Sequence, residues 1–182
     1  MANKIDIPNG WEKTEFGNIV ILINKKYTPK GSENLKCIEL ECIEKENGNL
    51  LYYLNSNTQK STKTYFYKND ILYGKLRPYL KKFIYAKDDG VCSSEIWVFS
   101  ATKKINNYFL FLIVQTNKFN YITNISTGTR MPRADWDIVS NYPILLPPLA
   151  EQEKIAEILS LWDKAIEQTK ELITYKEKQK KA

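Results

Sequence analysis

Histidine is absent from all 182 residues. The commonest general base near neutral pH, and the commonest ligand for a transition metal, are therefore missing. Glycine is scarce, at seven residues, and neither a G-x-G-x-x-G nor a P-loop pattern occurs, which excludes both nucleotide cradles. The only cysteines are Cys37, Cys42 and Cys92, at unrelated spacings. Cys37 and Cys42 lack the second pair a zinc site needs, so the three thiols are expected to be buried and reduced. No apolar run approaches the roughly 20 residues of a membrane helix. The opening "MANKIDIPNGWEK" has no apolar core of the kind an export signal carries. The expectation is a cytoplasmic protein that stays out of membranes.

Signatures of DNA-modifying chemistry are missing too. Many restriction nucleases place a metal-binding acid two residues before a lysine, and here no Asp or Glu has a lysine at that position. Amino-methyltransferases cradle their target amine with an Asn/Asp-Pro-Pro-aromatic motif. "NYPI" at Asn141 to Ile144 has related letters in a different order. Catalysis by this chain alone is not expected, and neither is a cofactor or metal of its own.

Apolar residues make up 43% and aromatics 13% of the chain, a balance that suits an ordered globular protein. The net charge of +6 is unevenly distributed. Residues 1–146 hold 20 Lys and Arg against 14 Asp and Glu, whereas residues 147–182 hold seven of each. From Lys60 to Lys87 eight basic residues face a single acid, Asp70. Such a local excess suits a polyanionic partner or a lysine-rich solvated surface.

Up to residue 146 strand and helix signals alternate, giving an expected α+β domain with a twisted, mostly antiparallel sheet and a few helices. "LKCIELECIEKENGNLLYYLN" has apolar alternation on both sides of Asn47-Gly48, the pattern of a hairpin. "DILYGKLRPYLKKFIYAK" reads as one or two bent or edge strands, because a Gly and a Pro interrupt it. "GVCSSEIWVFSA" reads as one largely buried strand, and "INNYFLFLIVQTNKFNYITNI" as one buried helix capped by Asn106 or Asn107. "STGTRMPRADWD" is a loop by composition, and "NYPILLPP" is extended because residues before proline avoid helical geometry. Trp11, Trp97 and Trp136 are expected to pack.

After Pro148 the pattern turns helical for about 30 residues, making residues 147–182 a separate unit from the domain of residues 1–146. Ile155, Leu159, Trp162, Ile166, Thr169 and Ile173 recur at alternating steps of four and three, the spacing of a coiled-coil seam. Ile158, Ala165 and Leu172 widen it. Glu151 and Glu153 in the first turn, and Lys176, Lys178, Lys180 and Lys181 in the last, complement the helix dipole. Such a stripe suits a partner helix, in an antiparallel coiled coil; the alternative is a terminal helix folded back on its own domain.

The stretch "PILLPPLAEQEKIAEILSLWDKAIE" resembles the conserved region of type I restriction–modification specificity (S) subunits, in which an extended proline pair precedes "EQ-x-x-I-A-x-x-L" and a long helix. "IPNGWEKTEFGNI", "NDILYGKLRPYLKK", "CSSEIWVF" and "STGTRMPRADW" resemble the same family in the same order, so the likeness spans nearly the whole chain. It implies a target-recognition domain that reads a few base pairs of double-stranded DNA, followed by a spacer helix. It also implies methyltransferase (M) subunits as partners, and restriction (R) subunits through them. S-adenosylmethionine, ATP and Mg would belong to those partners. S subunits usually carry two recognition domains and two spacer helices, and this sequence carries one of each. The resemblance thus implies a half-length form, pairing through its helix as a homodimer and reading an interrupted palindrome. An exchangeable or regulatory fragment that joins other S halves is the alternative, and a protein–protein adaptor with an incidental basic domain is a third reading.

The candidate DNA-contacting residues follow from two of those segments. Arginines number three among 27 basic residues, and all three, Arg77, Arg130 and Arg133, fall within "KLRPYLKK" or "STGTRMPRADW". Arginine's planar fork can grip a guanine edge, whereas lysine acts as a point charge; the alternative for Arg77 is a pairing with a carboxylate such as Asp70 or Glu95. Lys75, Lys81 and Lys82 are candidates for phosphate and Tyr79 for a base or sugar edge, while Thr127, Gly128 and Thr129 form a small polar loop whose backbone amides could approach a phosphate, the alternative being a plain connecting turn. Lys25, Lys26 and Lys30 around Tyr27 make a second, weaker cluster.

Overall fold

In a computed structural model, residues 7–125 and 131–181 are described. Eleven strands lie among them: β1 (Glu12–Glu15), β2 (Val20–Leu22), β3 (Lys26–Tyr27), β4 (Lys36–Ile38), β5 (Leu54–Asn55), β6 (Lys63–Phe66), β7 (Ile71–Gly74), β8 (Phe83–Tyr85), β9 (Gly90–Ser93), β10 (Ile96–Ala101) and β11 (Pro143–Leu146). Four helices accompany them: α1 (Asn107–Gln115), α2 (Asn117–Thr123), α3 (Trp136–Ser140) and α4 (Leu149–Lys181). The mixed α+β architecture with a long C-terminal helix is the expected one. The strands form three sheets rather than one. One has the order β2-β10-β7-β8, a second β3-β6-β9-β4-β5, and the third is the pair β1-β11. All pairings are antiparallel except β4 with β9.

The four-stranded sheet is covered on both faces. Along β7, Ile71 and Tyr73 point into a core shared with α1, α2 and α3, while Leu72 points into a core shared with the five-stranded sheet. Trp97 and Phe99 of β10 join the first core, Ile96 and Val98 the second. This two-sided burial explains why "IWVF" shows no polar alternation. Tyr73, fully inside, bonds the Thr123 hydroxyl at 2.9 Å, and burial pushes its phenol up to about 12.

Three local expectations differ from what the chain does. "GVCSSEIWVFSA" makes two strands in different sheets, because the chain turns at Ser94-Glu95 and leaves β9 for β10. The buried helix is two helices: Thr116 takes an extended conformation and its hydroxyl accepts the Phe119 amide, capping α2 and ending α1. Asn106 caps α1 as foreseen, accepting the amides of Tyr108 and Phe109. The chain does reverse around Asn47-Gly48, but not through a two-residue turn. Glu44 donates to the Asn49 carbonyl across a four-residue loop, and the left-handed positions are Glu46 and Gly48. Strand β11 is extended as its prolines require and pairs with β1, bringing residues 12–15 beside the start of α4.

Helix α4 docks on its own domain, but not through its apolar stripe. Gln152, 1% exposed, accepts the Asn106 amide at 2.9 Å and donates to the Pro147 and Lys104 carbonyls at 2.9 and 3.1 Å. Ala156 is buried beside it, Asp163 accepts the Tyr108 hydroxyl, and Glu167 pairs with Lys87 at 3.0 Å. Trp11 adds a bond from its indole to Glu151 at 3.1 Å. At about 100° per residue, the stripe of Ile155, Leu159, Trp162, Ile166, Thr169 and Ile173 lies roughly a quarter-turn away. Ile155 is half-buried, but the stripe beyond it is open, with Trp162 64% and Ile173 53% exposed; Ile158 and Leu172 beside it are also exposed.

Gln152→Ala strands two carbonyls and an amide, and should cost about 2–4 kcal/mol of unfolding free energy in urea titrations. All three cysteines are buried and free. Burial raises the Cys37 thiol from 9.0 to about 11 and pushes Cys92 up as well. The unfolded chain therefore loses these protons at lower pH than the fold does. Stability should be full below pH 9 and fall as pH rises towards 11, a slope that Cys37→Val reduces.

Candidate nucleic-acid interface

Strand β7 ends at Gly74, where a Cβ would come within 2.9 Å of the Leu40 side chain. Its amide donates to the Lys82 carbonyl at 2.8 Å, so residues 75–81 form a closed loop between β7 and β8. Arg77 stands at one end of a single 3₁₀ turn, Pro78–Leu80, and Lys81 at the other. Both are left-handed, with φ of 53° and 47°. Non-glycine residues avoid that region at a cost of roughly 1–2 kcal/mol each, and a residue before proline is further confined to extended geometry. The loop therefore holds two strained positions at its corners, with Tyr79 between them, 52% exposed.

A second segment is zipped onto this loop. Leu76 and Arg133 form an antiparallel bridge, the Arg77 amide donates to the Pro132 carbonyl at 2.8 Å, and the Ala134 amide donates to the Lys75 carbonyl at 2.8 Å. The Lys75 amide in turn donates to the Glu95 carbonyl at 2.9 Å. The two sequence segments that hold the arginines are thus neighbours in space. Between them Lys75, Trp97, Arg133, Ala134, Asp135 and Trp136 line a shallow depression of about 350 Å³. Trp97 is buried and packs on Trp136, while Trp11 is only half-buried.

The candidate residues fall into distinct situations. Arg77 and Tyr79 are exposed, and Lys75 and Lys81 are half-buried. Lys82 turns inward: its ammonium donates to the Leu40 carbonyl at 2.5 Å, and burial lowers its pKa. Arg133 places Nε 2.9 Å and Nη2 3.1 Å from the two carboxylate oxygens of Glu95, and that partner holds its guanidinium above the usual range. Thr127, Gly128, Thr129 and Arg130 lie outside the described residues. The basic run from Lys60 to Lys87 is less of a field than its count suggests. Lys63 is buried against Glu39 at 2.5 Å, Lys87 pairs with Glu167, and Lys82 is occupied. In the second cluster, Lys25 donates to the Tyr67 hydroxyl and sits over Tyr65, Lys26 donates to Thr64, and Tyr27 is core. Sequence reasoning offered Glu95 as an ion-pair partner for Arg77, whereas it pairs with Arg133, and it passed over Gln152, which stands inside the quoted motif.

The profile of the type I restriction modification DNA specificity domain matches residues 8–175, and the chain belongs to that family. It is 32% identical over 152 residues to the type I restriction enzyme EcoDI specificity subunit of Escherichia coli, covering 82% of this chain and 34% of that protein. It is 27% identical to the MjaVIII specificity subunit of Methanocaldococcus jannaschii, covering 88% and 37%. The fold matches the HsdS subunit from Thermoanaerobacter tengcongensis with a TM-score of 0.75 at 21% identity, over 93% of this chain and 46% of that one. It also matches a type I restriction–modification S subunit from M. genitalium, with a TM-score of 0.63 at 15% identity over 95% and 44%. The chain spans about a third of the length of these curated relatives and under half of the solved chains.

Glycine accepts the left-handed corner without strain, so Arg77→Gly should leave the fold as stable or up to about 1 kcal/mol more stable. Denaturant unfolding of that variant beside Arg77→Ala, which keeps the strain, separates backbone cost from side-chain function.

Proposed function

We propose that the chain is the DNA-reading half of a type I specificity subunit, with no catalytic step of its own. Its domain reads one half of a bipartite target, and its helix joins a second copy so that the pair reads an interrupted palindrome. Methyltransferase subunits bind this assembly in the cytoplasm, restriction subunits join through them, and S-adenosylmethionine, ATP and Mg are held by those partners. The observation that carries the DNA-reading role is the pairing of Lys75–Arg77 with Pro132–Ala134. It gathers two motif segments far apart in sequence into one exposed, partly basic loop on a rigid sheet. The open apolar stripe of α4 supports the dimer.

Mapping methylated sites in cells that express the chain with its methyltransferase subunits tests the whole reading, and a bipartite palindrome is the expected motif. In binding assays with the assembled complex, Arg77→Ala should reduce discrimination at one base pair per half-site by about 5- to 150-fold. Lys75→Ala should weaken all sequences alike and lessen the salt dependence by about one phosphate contact. A methylation pattern with no bipartite motif would remove the proposal. A mass that stays monomeric at all concentrations would count against the dimer.

A further inference from the structure

We infer that Glu95 and Arg133 form a positioning pair for Arg77, and so help to determine which base that arginine accepts; this rests on the DNA-reading role proposed above. The argument starts from where the three side chains stand. Arg133 lies in a segment expected to contact DNA, yet its fork is closed on Glu95 by two bonds of 2.9 and 3.1 Å. Among the described residues Arg77 has no ion-pair partner, and it is exposed. One guanidinium is committed within the chain while the other is open.

The committed one is coupled to the open one through the backbone. Glu95 grips both sides of the paired segments: its carbonyl accepts the Lys75 amide at 2.9 Å, and its carboxylate holds Arg133. Arg133 is bridged to Leu76, and the carbonyl before it, of Pro132, accepts the Arg77 amide at 2.8 Å. That bond is a restraint on a residue held at φ 53° before a proline, where relaxation would swing the side chain away. A two-pronged planar contact fixes direction as well as distance, which a lysine in place of Arg133 cannot do. Glu95 and Arg133 are therefore expected to act on base choice through the aim of Arg77, without touching DNA.

The test uses the full chain assembled with its methyltransferase subunits, and binding to a panel of targets substituted at each position of the half-site. Arg133→Lys and Glu95→Gln are the variants, alone and combined with Arg77→Ala, and thermal melting confirms that each is folded. Each should relax the position that Arg77→Ala relaxes, by about 5- to 150-fold, and add nothing further in the double variant. The slope of log affinity against log salt should not change. If Arg133→Lys relaxes a different position, or Arg133→Ala weakens all sequences and reduces the salt slope, Arg133 touches DNA itself and the inference is wrong. Unchanged base preference in both single variants also overturns it, leaving a merely structural ion pair. If Arg77→Ala itself alters no position, the failure lies in the choice of DNA-reading face, and the positioning claim falls with it.

Discussion

The antiparallel pairing of β7 with β10, from Ile71 opposite Phe99 to Gly74 opposite Ile96, carries both layers of the domain. Side chains on one face of this pair meet the helices, and those on the other meet the five-stranded sheet. Neither strand can slip by one residue without exchanging the two cores, so the register is fixed twice over. The exits of the strands are fixed with it. Residues 75–77 leave β7 on the same edge at which Ser94 and Glu95 enter β10, and the loop inherits the rigidity of the sheet beneath it. A surface built on such a base can hold strained backbone that an isolated loop would release.

Charge placed on a surface and charge available to a partner are different quantities here. Lys63, Lys82 and Lys87 are consumed by a half-buried glutamate, a backbone carbonyl and the terminal helix. Two of them still stabilise the fold by satisfying polar groups that burial would otherwise strand. Lys75, Arg77 and Lys81 are left around the loop, beside Tyr79, an aromatic that the sheet does not use. The site is thus sparse in charge but well constrained in geometry, a combination that favours selectivity over sheer affinity.

Much of this was legible in the sequence. The helix beyond Pro148, the extended segment before it, the Asn106 cap and the mixed fold all followed from patterns whose cause is local. The breaks at Thr116 and at Ser94-Glu95 did not, because each interrupts an apolar run with residues that are unremarkable until the run must serve two packing partners. A single sheet was expected where there are three, since strand period says which face is buried but not against what. Among the candidate residues, motif and residue type brought Lys75, Arg77 and Arg133 to one place. Sequence could not say that Arg133 was already occupied, because Glu95 lies 38 residues away and only the turn after β9 brings it near.

The amide of Gln152 has a mechanical meaning. Beyond Ala156, the last of its described residues to be buried, α4 runs on for 25 residues, about 38 Å, and meets the domain through the Asp163 and Glu167 side chains. A slack of about five degrees at its root would move the far end by about 3 Å, close to the roughly 3.4 Å between successive bases of one strand. Three hydrogen bonds on one buried side chain, two with Lys104 and Asn106 in the connection before α1 and one with Pro147 between β11 and α4, oppose that slack where it would be magnified most. In the dimer proposed above, a loose joint would still let the helix join two domains, but only a stiff one would keep them in step along a duplex.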